Sequence, residues 1–514
     1  MKNTKRCFVL FSFYDRTGIE AYLEKQAENG WMLDKTSAFG WHFHRIEPKK
    51  IHFSVVYFAK ASAFDPEPSE AQLAFHDFCE HTGWKLAASN AQMQIFYNEV
   101  PNPTPIETDA ALEVSAIHAS AKKSHLSSYY LLATVGVLQA ALFFWRFFSD
   151  PIGVLASNAN LFSGMCWMLM LALSVVEIVG YHTWHKRAKS AAELDGSFVE
   201  TKGHRNFQIV ILCMMLLAFA FLLISYGGSK MTLIAFASIA IILGVTAIIV
   251  GTSELMKKMK LSAKVNRNIT IILTLVISFG FTGILLISVI SRITSFLPEK
   301  VPVDTYEYNG WTFEVYHDEL PLTIEDLIET DYDGYSYEIR TLDKSVFIEQ
   351  KEATQRPRKD ALVNPELDYS ITTVKMPFMY ELCKKALLDD FAHNYGHPEP
   401  EDDMWEEHIK IDATPWGANE AYQLKLGGEL QQRFLLCYDN CIVEIDFEWD
   451  WQLTSEQMTV VTEKLEKENL QHNKPLQFSS PCRMEVAAVF LFYGFCCFCL
   501  NISLSFSVFF LVME

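Results

Sequence analysis

Five long apolar segments between residues 129 and 290 constrain this chain more than any other feature of its sequence. A helix needs about 20 apolar residues to cross the hydrocarbon layer of a membrane, because each residue adds only about 1.5 Å. Each segment reaches that length, and a helix that is apolar on all sides fits lipid better than a water-soluble core. The segments are 129–148, 161–181, 207–226, 231–251 and 269–290. We therefore predict five transmembrane helices within residues 128–291.

The basic residues that flank these segments lie almost wholly on one side. Twelve Lys and Arg residues fall near the N-terminal flank and in the second and fourth loops, whereas only two fall on the other side. Basic residues favour the cytoplasmic ends of membrane helices. This asymmetry predicts a multi-pass protein of the cell membrane with a cytoplasmic N-terminus. Residues 292–485 are then extracytoplasmic, and membrane lipid is a partner.

The C-terminal part of the chain carries most of the negative charge. Residues 292–485 contain 18 basic and 40 acidic side chains, a net charge of −22, although the whole chain has a net charge of only −19. Such a surface disfavours nucleic acid and is more compatible with a cation or a peptide at the external domain. Alternating strand patterns and predicted helices at 377–395 and 455–468 indicate an acidic α+β domain over 298–470. Thr454 and Gln457 have capping-box spacing.

Residues 1–100 predict a small cytoplasmic α+β module that contains the same unit twice. Predicted helices at 18–29 and 69–82 each end at a Gly, followed by Trp31 or Trp84 and a strand. Both Trp residues are expected to be structural, with their rings against a sheet. The strands 41–46 and 51–58 are expected to form a hairpin. The Pro-containing and Ala/Ser-rich residues 101–127 are expected to be a linker.

The motifs of this module resemble domain-of-unknown-function family 2812. The resemblance is carried by Phe13-Tyr14-Asp15, Tyr22-Leu23, Glu28-Asn29-Gly30-Trp31, Thr82-Gly83-Trp84 and Phe96-Tyr97. It covers roughly residues 8–98, and the membrane helices that follow fit the layout of the family. The resemblance implies a bacterial cell-membrane protein with a regulatory role. It implies no catalytic residues and no cofactor.

Two sets of side chains are weak candidates for metal ligands. His42 and His44 share one face of a predicted strand, and His52 lies on the neighbouring predicted strand, so three imidazoles could meet at a zinc ion. Surface histidines are the alternative. Asp331 and Asp333 have the spacing of the first half of a calcium loop, but Arg340 stands where the bidentate Glu is required. An acidic turn is the alternative there, and no cofactor is predicted.

Two further features concern single positions. Glu177 is the one acidic residue within a predicted span, and an intramembrane acid is either functional or turned toward the interface. We expect it to reach interfacial water or the basic loop at Lys186 and Arg187. Cys437 and Cys441 flank a predicted hairpin turn in an oxidising compartment. They are predicted either to form a disulfide or to remain a pair of separate thiols.

The C-terminal residues 486–513 contain no charge and are long enough to cross the membrane again. Few of them are strong helix formers, and the composition changes sharply after about residue 470. This segment is therefore either a sixth transmembrane helix or an aberrant tail unrelated to the domain before it.

No catalytic constellation joins the two predicted soluble domains. The sequence favours a non-enzymatic signalling, regulatory or scaffolding protein, in which an external recognition domain is linked to a cytoplasmic module that binds another protein. A transporter or export component that uses Glu177 is the second hypothesis. A membrane-bound enzyme that uses the histidines or the acidic loop is the third.

Overall fold

A computed structural model describes residues 3–471 except 38–39, 124, 226–229, 297–301, 309, 331, 359–364, 391–405 and 450. The chain divides into two compact units. The first contains the described residues up to Ala141 together with Gly164–Leu285, and the second contains Leu142–Ser163 and the described residues from Leu286 onward.

The N-terminal module of the first unit contains two copies of one strand–helix–strand–strand unit. In each copy the last strand lies between the other two, and all pairings are antiparallel. The first copy contains β1 (Thr4–Cys7), α1 (Arg16–Glu28), β2 (Trp31–Lys35) and β3 (Trp41–Arg45). The second contains β4 (His52–Tyr57), α2 (Glu70–His81), β5 (Lys85–Asn90) and β6 (Met93–Asn98). The repeated motif in the sequence therefore corresponds to a repeated topology.

The repeated Gly-Trp pair ends each helix and starts the strand after it. Gly30 has a φ of 80° and Gly83 a φ of 90°, a left-handed conformation that favours glycine. Trp84 is buried and its indole N–H donates to the carbonyl oxygen of Thr104 at 2.9 Å. Trp31 is only partly buried, with the Lys5 Nζ 4.5 Å from its ring centroid. The two Trp residues thus share a position in the repeat but differ in burial.

The predicted hairpin between residues 41–46 and 51–58 is wrong. β3 pairs with β1 and β2, whereas β4 pairs with β6 in the other sheet. The connection from β3 to β4 instead leads from one copy of the unit to the next, and α1 packs on both β2 and β4. One hydrophobic core therefore serves both copies, and it includes Leu23, Phe43 and Val55.

Residues 110–123, which we expected within a linker, form helix α3 (Ala110–Lys123). Its residues Val114, Ile117 and Ala121 are buried in the core of the module. They recur every three or four positions, so one face of the helix packs against the module. The helix is thus part of the folded module.

Six helices follow the module. They are α4 (His125–Ser149), α5 (Pro151–Ala156), α6 (Asn158–Asp195), α7 (Arg205–Ser225), α8 (Lys230–Lys258) and α9 (Ala263–Phe296). Among the described residues, α4, α6 and α7 are long and apolar enough to cross a membrane. The fourth and fifth spans remain predictions, although the chain is helical there. The predicted segment 486–513 lies outside the described residues.

The second unit is built on antiparallel sheets. A hairpin of β7 (Asp304–Tyr308) and β8 (Trp311–Val315) comes first. A seven-stranded sheet follows, in the order β12-β13-β14-β15-β11-β10-β9. Its strands are β9 (Tyr335–Lys344), β10 (Ile348–Pro357), β11 (Glu366–Val374), β12 (Glu406–Ile411), β13 (Glu420–Leu426), β14 (Glu429–Cys437) and β15 (Cys441–Glu448). The helices are α10 (Tyr380–Asp390) and α11 (Ser455–Gln471).

Both faces of the large sheet are covered. Leu436 points to the face covered by α11, while its neighbour Leu435 points to the face that packs on α5 and α10. The capping box of α11 is confirmed: the Thr454 N–H donates to Gln457 Oε1 at 2.9 Å, and the Gln457 N–H donates to Thr454 Oγ1 at 3.3 Å. The helix predicted over 377–395 begins as a 3-10 turn and continues as α10, and residues 391–395 lie outside the described part.

Candidate functional site

The N-terminal module meets helices α4, α6 and α7 at a buried polar cluster. We call the side chains of Ser12, Tyr14, His125, Glu177 and Gln208 the junction cluster. Ser12 and Tyr14 come from the segment between β1 and α1, and the other three come from α4, α6 and α7. All five are buried, so the module and the helices exclude water from this region of the first unit.

Glu177 is the centre of the junction cluster and has no exposed surface. Its Oε1 accepts hydrogen bonds from the Ser12 hydroxyl at 3.0 Å and from the Gln208 amide at 2.8 Å. Its Oε2 lies 3.8 Å from His125 Nε2, which is too long for a hydrogen bond. We expected Glu177 to reach interfacial water or the basic loop at Lys186 and Arg187, but its carboxyl group is instead buried and bonded to Ser12 and Gln208. The reason is that the module covers this carboxyl group, a contact that the sequence of α6 alone does not indicate.

Several polar atoms of the junction cluster have no hydrogen-bond partner among the described residues. These atoms are the Tyr14 hydroxyl, His125 Nε2, Glu177 Oε2 and Gln208 Oε1. A buried polar atom without a partner costs about 1–3 kcal/mol, so four in one place are uncommon in a structural contact. The junction cluster is thus a buried region of the described chain in which several polar atoms are unsatisfied.

Aromatic rings surround the junction cluster on the side of the module. The Tyr14 ring centroid lies 5.3 Å from that of Tyr181 and 5.5 Å from that of Trp184, both on α6. It also meets the His125 ring edge-on at 5.9 Å. Burial raises the pKa of Tyr14, so its hydroxyl keeps its proton at neutral pH. These rings help to exclude water from the carboxyl group of Glu177.

A second polar contact holds the loop between α6 and α7 on the module. Thr17 donates its N–H to Thr201 Oγ1 at 3.0 Å and its hydroxyl to the Thr201 carbonyl at 2.7 Å. Asp15 caps α1 by accepting from the Gly18 N–H at 3.2 Å, and Thr201 Oγ1 donates to the same carboxyl oxygen at 3.4 Å. Burial raises the pKa of Asp15, although these hydrogen bonds oppose the shift. The loop is therefore fixed by backbone as well as side-chain contacts.

Glu20 ties the two copies of the repeated unit together. Its Oε1 accepts from the Val55 N–H of β4 at 2.8 Å and lies 3.9 Å from Arg16 Nε. Arg16 also pairs with Glu113 of α3 at 2.6 Å. Burial raises the pKa of Glu20 to about 7, with Arg16 and the Val55 hydrogen bond opposing. The module thus contains a carboxyl group whose protonation changes near neutral pH.

The module also contacts the loop between α8 and α9 and the first turn of α9. Asn266 Nδ2 donates to the Phe64 carbonyl at 3.4 Å, and Lys260 pairs with Glu67 at 2.7 Å. The Lys123 Nζ donates to the Ala61 carbonyl at 3.1 Å. Every one of these helix ends belongs to the flank that the charge asymmetry predicts to be cytoplasmic.

In the second unit, the sheet packs on the segment that joins α4 to α6. Ile152 and Leu155 of α5 are buried with Ile348 and Val374 of the sheet. At the start of α6, Asn158 Nδ2 donates to the Lys344 carbonyl at 3.1 Å. Apolar burial of this kind stabilises a contact by about 25 cal/mol per Å². The loop predicted to be external is therefore packed on the domain predicted to be external.

The predicted three-histidine site is not formed within the described residues. His42 and His44 lie on β3, but His52 lies on β4 of the other sheet, because the predicted hairpin does not exist. His44 Nδ1 lies 2.5 Å from Asp34 Oδ1, and His52 Nδ1 lies 3.5 Å from Glu24 Oε1. Among the described residues no group of three or more His, Cys, Asp or Glu side chains is arranged to hold a metal ion.

The second candidate metal site is only partly described. Asp333 lies in a short 3-10 turn before β9 and is exposed, and Asp331 lies outside the described residues.

Cys437 and Cys441 are not joined by a disulfide in the structure. Cys437 pairs with Ile442 across the hairpin, so Cys441, one residue before Ile442, has its side chain on the other face of the sheet. Cys437 accordingly packs with α5 and α10, whereas Cys441 packs in the core below α11. A disulfide would require Cys437 and Cys441 to face each other across the two strands, whereas Cys437 faces Ile442.

Comparison with known protein families gives one match, which lies in the N-terminal region. Residues 15–129 match the model of the family described as protein of unknown function, DUF2812. No curated protein and no solved structure matches the chain.

The protein thus has three parts: an N-terminal α/β region, helices long and apolar enough to cross a membrane, and a C-terminal region rich in β-sheet. Its N-terminal region is a DUF2812 domain, as the Trp-containing motifs predict. The matched residues extend through α3 into the first turn of α4. The family domain thus includes His125, and the junction cluster joins it to Glu177 and Gln208 outside the match.

Proposed function

We propose that this protein is a non-enzymatic signalling or regulatory protein of the cell membrane. An acidic extracytoplasmic domain would recognise a peptide or cation, and the membrane helices would convey its state to the DUF2812 domain. That domain would in turn bind a cytoplasmic protein. The orientation follows from the basic residues on one flank. It is supported by the packing, since the loop contacts described above join each soluble domain to loops predicted to lie on its own side.

The observation that carries this proposal is the use of α4 and α6 by both units. The first residue of α4, His125, and a residue in the middle of α6, Glu177, belong to the junction cluster. The chain between their outer ends supplies α5 and Asn158 to the packing of the large sheet. A helix is stiff over this length, so a displacement of its outer end displaces its inner end as well. These two helices are therefore suited to couple the domains.

The transport hypothesis is less well supported. A carboxyl group in a transport path must be reached by the substrate from each side in turn. Glu177 is instead buried under Ser12 of the module and hydrogen-bonded to Gln208. Its place is better suited to holding two parts of the chain together.

Hydrogen–deuterium exchange on the full chain in nanodiscs tests the coupling. Leu155→Ala removes buried side-chain volume from the contact of α5 with the sheet. We expect faster exchange in α5 and also in residues 9–17 of the module. Phe378→Ala is the matched control, since Phe378 is 76% exposed in the same unit. Faster exchange in α5 with no change in residues 9–17 would contradict the coupling.

A further inference from the structure

The unpartnered atoms of the junction cluster share one chemical character. Glu177 Oε2 and Gln208 Oε1 can only accept, and the Tyr14 hydroxyl oxygen and a neutral His125 Nε2 can also act as acceptors. The four side chains are at least nine-tenths buried, with Gln208 the most exposed at 8%. All four atoms can offer a lone pair, and two of them can only accept, so the site suits a positively charged ligand better than an anion.

The charge of the cluster limits the ligand further. Glu177 is the one carboxylate in the junction cluster. Asp15 lies nearby, but its carboxyl group already accepts from Gly18 and Thr201. The His204 ring lies against Gly180 of α6, and Tyr129 and Tyr181 complete the titratable groups around the site. One carboxylate among neutral oxygens and nitrogens balances a single positive charge.

We propose that the junction cluster binds one small monovalent cation, with Na⁺ as its representative. Glu177 Oε2, Gln208 Oε1, the Tyr14 hydroxyl oxygen and His125 Nε2 are the ligands. Ser12 and the Gln208 amide keep the carboxylate oriented by donating to Glu177 Oε1. The ion joins Tyr14 of the N-terminal module and His125 of α4 to α6 and α7.

The distance between two of the ligands, His125 Nε2 and Glu177 Oε2, is compatible with such an ion. Oxygen ligands of a cation of this size, such as Ca²⁺, lie about 2.4 Å from it, which places neighbouring ligands about 3.4–4 Å apart. The 3.8 Å between His125 Nε2 and Glu177 Oε2 falls in this interval, although it is too long for a hydrogen bond. A divalent ion would leave one positive charge unbalanced in a dry site.

Thermal unfolding of the full chain in detergent tests the site. The protein is purified without sodium and measured in NaCl, KCl and choline chloride at the same ionic strength and pH. A ligand that binds the folded state raises the Tm in a saturable manner. We expect the Tm to rise by several degrees in NaCl relative to choline chloride. Equal Tm values in all three salts would overturn the proposal.

Variants assign the effect to the junction cluster. Glu177→Gln removes the negative charge while it keeps the shape of the side chain, and it should abolish the salt dependence. Glu193→Gln is the control, because Glu193 lies on the same helix and its side chain is 63% exposed. A Glu177→Gln protein that keeps the full Na⁺ dependence would place the ion elsewhere and overturn the assignment.

A direct binding measurement covers the case in which Glu177→Gln does not fold. Equilibrium binding of ²²Na⁺ to the wild-type chain should give one ion per molecule. Gln208→Ala should weaken it at least tenfold, and Glu193→Gln should leave it unchanged. No bound sodium, together with a Tm that changes with pH alone, would mean that Glu177 carries a proton instead of an ion, and the proposal would then be wrong.

Discussion

Ser12 donates its hydroxyl to the carboxyl group of Glu177 at 3.0 Å, across 165 residues of chain. The donor lies in a segment of the N-terminal module that has no regular secondary structure. The acceptor lies in the one predicted span that contains an acidic residue. This hydrogen bond links the module to α6 at a site from which the module and the helix exclude water.

Ser12→Ala should weaken that link. The substitution leaves Glu177 Oε1 with the Gln208 amide alone, and the loss of one buried hydrogen bond to a charged group costs about 1–3 kcal/mol. We expect a lower Tm and faster amide exchange in residues 9–17. Ser115→Ala is the control, since Ser115 lies on the exposed face of α3 and bonds within its own helix. Equal exchange in the two variants would show that Ser12 has no such role.

Glu20 should make the module less stable as the pH rises. Its pKa in the folded protein is raised to about 7, above the ordinary value of 4.5. Well below pH 4.5 its carboxyl group is protonated in both the folded and the unfolded state. Between pH 4.5 and 7 the unfolded state loses the proton more readily, so stability falls as the pH rises through this interval.

Glu20→Gln should remove this dependence and stabilise the module at pH 8 by about 3 kcal/mol, since one pKa unit corresponds to about 1.4 kcal/mol. The amide oxygen of the introduced glutamine would still accept the hydrogen bond from the Val55 N–H. Amide exchange of residues 52–57 at pH 5 and pH 8 measures the effect. The same ratio of exchange rates in both proteins, after correction for intrinsic exchange, would contradict it.

Gly180→Ala should disturb the junction from the side of α6. A Cβ atom at Gly180 would overlap the ring of His204 and lie 3.0 Å from the Tyr14 hydroxyl. The His204 ring must then move, at a cost of about 1–3 kcal/mol. Gly244→Ala in α8 gains the same helix propensity but meets no atom within 4 Å. We expect a lower Tm for Gly180→Ala only, and equal Tm values would count against the tight contact.

Cys437 and Cys441 should both be reactive thiols once the chain is unfolded. Alkylation in denaturant without a reductant, followed by peptide mass spectrometry, should modify both residues. The reason is their position on opposite faces of the sheet. A peptide with the mass of an intramolecular disulfide would mean that the hairpin register differs from the structure.

Local patterns in the sequence predict local structure well here. The two Gly-Trp units, the capping box of Thr454 and the strands beside Cys437 are set by neighbouring residues, and all of them are found. Strand pairing is less local. β3 and β4 are adjacent in sequence and alternate like a hairpin, yet each pairs within its own copy of the repeat.

The junction cluster could not have been predicted from such patterns. Ser12 and Gln208 are ordinary polar residues in sequence, and nothing nearby marks them as partners of Glu177. The lone acid in an apolar segment was the one available signal, and it indicated an unusual position but no partner. Only the packing of the N-terminal module on α6 and α7 identifies the partners.

Cysteine labelling on intact cells tests the central claim most directly, because it asks whether the two soluble domains lie on opposite sides of the membrane. Glu70→Cys is placed in the DUF2812 domain and Asp412→Cys in the sheet domain, both at exposed positions. The parent chain has Cys7, Cys213, Cys482, Cys496, Cys497 and Cys499 replaced. A membrane-impermeant maleimide should label Asp412→Cys on intact cells and Glu70→Cys only after the membrane is opened. Labelling of Glu70→Cys on intact cells, with Asp412→Cys protected, would contradict the orientation and the function proposed from it.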